Sequence, residues 1–266
     1  MLAVACRDPQ PWVSGRALAR AAEMGDEARA LLPTIRPLLD DPLEGTRLSA
    51  AAATLRIHGP DEKAHAVLEA QLAAIDPYDR QQAIETLVPI GAAGRKVWPA
   101  LLPLLGDADW ALFARLGIEP PPDAVSWGAS EALVLLQATT LEQELLEIVR
   151  GADARARIAA GLALVGLRVP FPEAGTVMAE TLSFETKLTW LKHVPLRRIT
   201  NDLDPSLVDD ALLDALESSL HGLYGKEAGR ALLHLGSPGE KRASAVLSNA
   251  SKEREYERYA ILMALK

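Results

Sequence analysis

The stretch Leu31–Gly59, "LLPTIRPLLDDPLEGTRLSAAAATLRIHG", carries two apolar stripes of helical period and two prolines inside the first. Ala28, Leu31, Leu32, Ile35, Leu38 and Leu39 are spaced as one face of an amphipathic helix. Asp26 after Gly25 is the expected N-cap. From Arg47 to Ile57 a second stripe, Leu48, Ala51, Ala52 and Leu55, predicts a second helix, and Gly59 followed by Pro60 stops it. The unit is a helical hairpin. An interior proline costs roughly 3 kcal/mol in a helix, because it removes a donor and clashes with the preceding turn. Pro33 and Pro37 therefore predict a first helix that bends, or one that begins later.

The unit recurs. "VWPALLPLLGDA" at Val97–Ala108 repeats the paired prolines. Glycines expected to end second helices stand at Gly25, Gly59, Gly91, Gly166 and Gly236. Loop aspartates stand at Asp8, Asp41, Asp76 and Asp107, and an arginine opens the second helix at Arg16, Arg47, Arg80 and either Arg155 or Arg157. Self-similarity of roughly 30 to 35 residues marks a solenoid, in which each hairpin buries its apolar face on the next. Apolar content dominated by Ala and Leu favours helix throughout, because unbranched side chains keep their rotamer freedom there.

On these residues the chain resembles the HEAT-repeat family, including its shorter lyase-type relatives. The matching features are Pro33, Asp41, Arg47 and the alanine-rich second helix, with the second half of the unit repeated in "DPYDRQQAIETLVPIG" (Asp76–Gly91) and "GADARARIAAGLALVG" (Gly151–Gly166). The resemblance covers residues 1 to 166, is degenerate over 167–225 and recovers over 226–266. It implies an all-α fold: one right-handed α-solenoid domain, residues 1–266, of about seven stacked hairpins. Such a fold says little about chemistry.

Two places depart from the pattern. After Asp107 an insertion at about 108–126 brings Trp110, Phe113, the prolines Pro120 to Pro122 and, just beyond, Trp127. Insertions in solenoids map to one edge, often the binding edge; the alternative is that these aromatics anchor the loop to the core. The ends also depart: "MLAVAC" is too short for a full first helix and "ERYAILMALK" carries no polar cap. Short helices, membership of a longer array, or cover by a partner, including end-to-end self-association, would each account for them.

Catalytic patterns are weak. The histidines His58, His65, His193, His221 and His234 have no metal-ligand spacing and are expected as surface or capping residues. "GAAGRK" at Gly91–Lys96 lacks the spacing of a phosphate loop and follows a helix. Cys6 is the single cysteine, which excludes an internal disulfide and a thiolate cluster. Glu142, Glu144 and Glu147 read as a solvated helix face. The recurrent Asp41 and Arg47 read as a structural ladder between turns. The N-terminal residues do not read as a leader and no membrane-length apolar run occurs, so a cytoplasmic protein is expected, and the weak catalytic patterns lead to the expectation of a non-enzymatic one with no cofactor and no metal.

The net charge is −8, with thirteen acidic against nine basic residues over 1–91. Only 151–200 is basic, and there "KLTWLKHVPLRRIT" groups Lys187, Trp190, Lys192, His193, Arg197 and Arg198. The outward positions of second helices include Ser49, Arg56, Gln82 and Glu85. The expected function is a scaffold binding a protein or peptide along a concave surface of second helices and the insertion, with Trp110, Phe113, Trp127, Arg56, Glu85, Trp190, Lys192, Arg197 and Arg198 as partner-binding candidates. One alternative is a nucleic-acid-binding or DNA-glycosylase-like repeat protein using the groove around Trp190 and Arg197, which the overall acidity opposes. A third, implied by family resemblance alone, is an assembly or lyase-like factor acting on a protein-bound chromophore.

Overall fold

The computed structural model describes residues 1–107, 125–183, 196, 199–221, 224–249 and 254–265. Every regular element among them is helical, and none of these helices is long and apolar enough to cross a membrane. The chain divides into two compact units, Met1–Ala138 and Thr139–Lys266.

The first unit is a stack of hairpins. Its second helices are α2 (Pro11–Met24), α4 (Glu44–His58), α6 (Pro77–Ile90) and α7 (Val125–Leu135), packed in that order. They follow α1 (Leu2–Ala5), a 25–40 segment holding α3 (Leu32–Ile35), α5 (Glu62–Leu72), and a 91–106 segment. Leu18, Leu55, Leu68, Leu87 and Leu105 are essentially inaccessible, each such burial contributing about 1.5–3 kcal/mol. α4 buries more than one stripe: Ala50, Ala53, Thr54 and Ile57 join Leu48, Ala51 and Leu55, while Ala52 is only half-buried. A helix packed on both flanks and underneath hides most of its circumference.

The prolines do more than bend the first helix. Gly25–Leu31 and Arg36–Asp40 are 3₁₀ on either side of α3, and Gly91–Leu101 and Pro103–Gly106 are 3₁₀ in the second copy. Pro33, Pro37 and Pro103 each sit in the first two residues of a new short segment, where a missing N–H leaves no bond unmade. Asp26 lies inside the 3₁₀ turn and pairs with Arg29 at 3.1 Å; its side chain caps no helix.

Second helices end at glycines of positive φ at Gly25, Gly59, Gly91 and Gly236. Gly166 is still helical; there the positive φ falls on Arg168, and at the end of α7 it falls on Gln137. In both cases the next N–H reaches five residues back, Ala138 to Leu133 and Val169 to Leu164, each at 3.0 Å, closing the helix end as glycine would.

The second unit contains α8 (Glu142–Val149), α9 (Ala154–Gly166), α10 (Ala174–Ser183), α11 (Asp210–Ser219), α12 (Gly225–His234), α13 (Ser237–Ser248) and α14 (Glu255–Ala264). Asp153 and Asp209 cap α9 and α11 through backbone N–H groups. Close approach needs small residues: a Cβ on Gly161 would collide with Val177 of α10, and one on Gly229 would come within 3.2 Å of the Ala260 carbonyl of α14.

Candidate functional site

Three of the recurrent loop aspartates of the first unit fold a turn, and the fourth, Asp107, pairs with Arg80. Asp8, Asp41 and Asp76 accept the N–H two residues on, from Gln10, Leu43 and Tyr78, at 2.8–2.9 Å. The recurrent arginines close the same turns from inside. Arg80 donates through Nη1 to the Ala74 and Ile75 carbonyls, both at 2.7 Å, and through Nε to Asp107 at 2.8 Å; both partners of that ion pair are buried. Arg47 donates to the Asp41 and Pro42 carbonyls at 2.9 and 3.1 Å. In the second unit it is Arg157 that plays this part, bonding the Gly151 carbonyl and Glu180. Arg16 instead stands exposed on α2. The Arg80–Asp107 and Arg157–Glu180 pairs tie one hairpin to the next.

Arg56, exposed near the end of α4, donates through Nε to the Ala22 carbonyl of α2 and through Nη1 to the Pro89 carbonyl of α6, both at 3.0 Å. The C-terminal ends of three parallel helices meet there, and a guanidinium between them offsets their aligned carbonyl dipoles. An open groove of about 550 Å³ surrounds it, lined by Glu23, Asp26, His58, Pro89 and neighbouring backbone. Glu85 is exposed on α6 and accepts from Gln81 at 3.1 Å. Trp127 is half-buried on α7, outside any loop, beside Gly128, where α6 comes so near that a Cβ would lie 2.7 Å from Gln81 Oε1. Arg56, Glu85 and Trp127 thus lie on three successive second helices of one unit. Trp110, Phe113, Trp190, Lys192, Arg197 and Arg198 lie outside the described residues, as does most of the 108–126 insertion.

His65 departs from the surface role expected of it. It is buried on α5, with Nε2 at 2.8 Å from the Ala93 carbonyl, and serves as a core strut between two layers. Nothing in its spacing announces this. Cys6 is fully covered, and burial pushes its thiol up, away from the reactive thiolate.

The second unit gathers charge on α11, on α13 and around the start of α14. Glu217 accepts from Arg242 at 3.1 Å and Arg254 at 2.6 Å; Arg242 also bonds Asp214 at 2.6 Å. Hydrogen bonds to Glu217 and then Asp214 hold the Arg242 guanidinium in its charged form more firmly than usual. His221 meets the buried Glu257 at 2.8 Å. Two further open grooves occur here, about 510 Å³ between α10 and α11 and about 330 Å³ beside Arg168 and Asp202. Ser218 and Ser219, which line the larger, bond back to their own helix. Among the described residues no group of three or more His, Cys, Asp or Glu is arranged to hold a metal ion.

Among the exposed apolar side chains of the first unit, Trp12, Leu43, Ile75 and Tyr78 stand at or beside the starts of second helices and escape a reading of motifs. A signal for two of them is present in the sequence, since Leu43 and Tyr78 each follow an Asp-Pro pair directly.

No family model matches the chain, and no curated protein matches it. Among solved structures, the chain is similar to the complex of CpcE and CpcF of phycocyanin lyase from Nostoc sp. PCC7120, at 18% identity over 99% of this chain and 92% of that chain, with a TM-score of 0.42.

Proposed function

We propose that the protein is a non-enzymatic interaction scaffold whose first unit binds a protein or peptide segment across its second helices. The observation that carries this reading is a division of labour among charged residues. Those that recur, such as Asp41, Asp76, Arg47 and Arg80, are engaged in turns. Arg16, which recurs yet is exposed, and Arg56, which bonds two carbonyls, stand outside this division; Arg20, Glu23 and Glu85, which do not recur, face solvent on neighbouring helices. Repetition thus builds the frame, and the variable positions supply a surface for recognition. The grooves are open and mainly lined by helix ends and small side chains, which suits extended contact better than enclosure of a small ligand.

Affinity capture from native lysate, followed by cross-link mapping, tests the reading. The expected result is a stoichiometric protein partner cross-linked to α2, α4, α6 or α7. Measurable nucleic-acid affinity that falls steeply with salt would instead support the nucleic-acid alternative and overturn the scaffold reading.

A further inference from the structure

The loop edge where α4 and α6 begin has a chemistry of its own. The Asp41 and Asp76 turns throw the side chain at the same position outward in both repeats, leaving Leu43 49% and Tyr78 65% exposed. Ile75, beside the second turn, is 96% exposed. Large apolar side chains held outward on one edge by fixed turns form a contact surface.

The edge is also acidic, because its arginines turn inward. Arg80 is buried against two carbonyls and Asp107, and Arg47 bonds two carbonyls and lies 3.4 Å from Glu44. Glu44 and Asp76 remain exposed and Asp79 half-exposed. Asp79 has no cation within ion-pair distance among the described residues. Partial burial, then the nearby Asp76 and Glu44, push its carboxyl up, so these carboxylates from two repeats feel one another. Trp12 belongs to the preceding repeat and stands one helical turn from Arg16, so the acidic edge stops short of it.

We propose that Leu43, Glu44, Ile75, Tyr78 and Asp79 form a docking edge for a basic protein segment in which Arg or Lys alternates with apolar side chains. This rests on the scaffold reading and names the partner's chemistry. A guanidinium stacks on the Tyr78 ring and donates to Asp79, while the partner's apolar residues cover Leu43 and Ile75. Bringing a cation to crowded carboxylates relieves their repulsion, which gives the edge its preference for a basic partner.

Panning a random-peptide phage library on the full chain tests this. Enriched peptides should carry Arg or Lys among apolar residues. Their synthetic versions should bind more weakly as salt is added, and roughly tenfold more weakly to Asp79→Lys and to Tyr78→Ala. Asp79→Asn, which keeps the shape, should give an intermediate loss, and circular dichroism should report an unchanged fold in all three variants. Enriched peptides lacking basic residues, or basic peptides whose affinity these variants leave unchanged, would overturn the inference and leave the scaffold reading standing. No enrichment would overturn the inference as well, and the scaffold reading would then be decided by capture and cross-linking.

Discussion

Arg47 and Arg80 occupy the same place in successive repeats, yet they predict different consequences when removed. Arg80→Ala removes a largely covered ion pair to Asp107 and leaves two loop carbonyls without their donor, and should destabilise the protein by about 3 kcal/mol, read by urea denaturation. Arg47→Ala removes two carbonyl bonds at a partly exposed site and should cost about 1 kcal/mol. Equal losses would mean that the buried ion pair adds nothing to the turn. Asp79 gives a prediction of opposite sign. Its carboxyl titrates higher in the folded chain than in the unfolded one, so its ionisation opposes folding once pH rises through the folded value. Asp79→Asn should therefore raise Tm slightly at pH 7, with no gain near pH 3 where the aspartate is already neutral. The repeated aspartates and arginines were legible because turn chemistry is local. The burial of His65 was not, since only the layer that packs over α5 decides it.

At the scale of the element, paired prolines foretell a disturbed first helix, and the disturbance is a change of helix type. The sequence pattern of period 3.6 survives in which residues are buried, as Ala28, Leu32, Ile35 and Leu39 show, although the backbone around them is largely 3₁₀. A short apolar segment clamped between larger helices keeps its inward face and lets the backbone tighten. Helix ends were legible at Gly25, Gly59, Gly91 and Gly236, whereas Gly166, expected as an end, is still helical. They were hidden at Gln137 and Arg168, where a side-chain-bearing residue takes the positive φ. Replacing exposed Gln137 by glycine should relieve that strain and stabilise the protein by about 0.5–1 kcal/mol, measured as a rise in the denaturant midpoint. A loss of stability would mean that the Gln137 side chain makes contacts worth more than the strain.

At the scale of the molecule, the all-α hairpin architecture follows from the repeat spacing, and the packing closes within Met1–Ala138 and within Thr139–Lys266. The residues most suggestive in sequence, Trp110, Phe113, Trp190 and Arg197, lie outside the described structure, whereas the acidic apolar edge at Leu43 and Tyr78 became visible only once the turns were seen to face their side chains outward. The sequence hides this edge because Asp-Pro-Leu and Asp-Pro-Tyr read first as helix starts. Frame and recognition surface are separable in this account: Arg80 holds the frame, and the exposed positions of α4 and α6 face the partner. The most direct measurement is quantitative capture of lysate proteins by the wild-type chain and by a Tyr78→Ala, Asp79→Lys, Glu85→Lys triple variant, with thermal melts of both. The account predicts a stoichiometric protein partner lost from the variant while Tm stays within about 2 °C. Undiminished capture of the same partner by the variant, or co-purification of nucleic acid in place of protein, would contradict it.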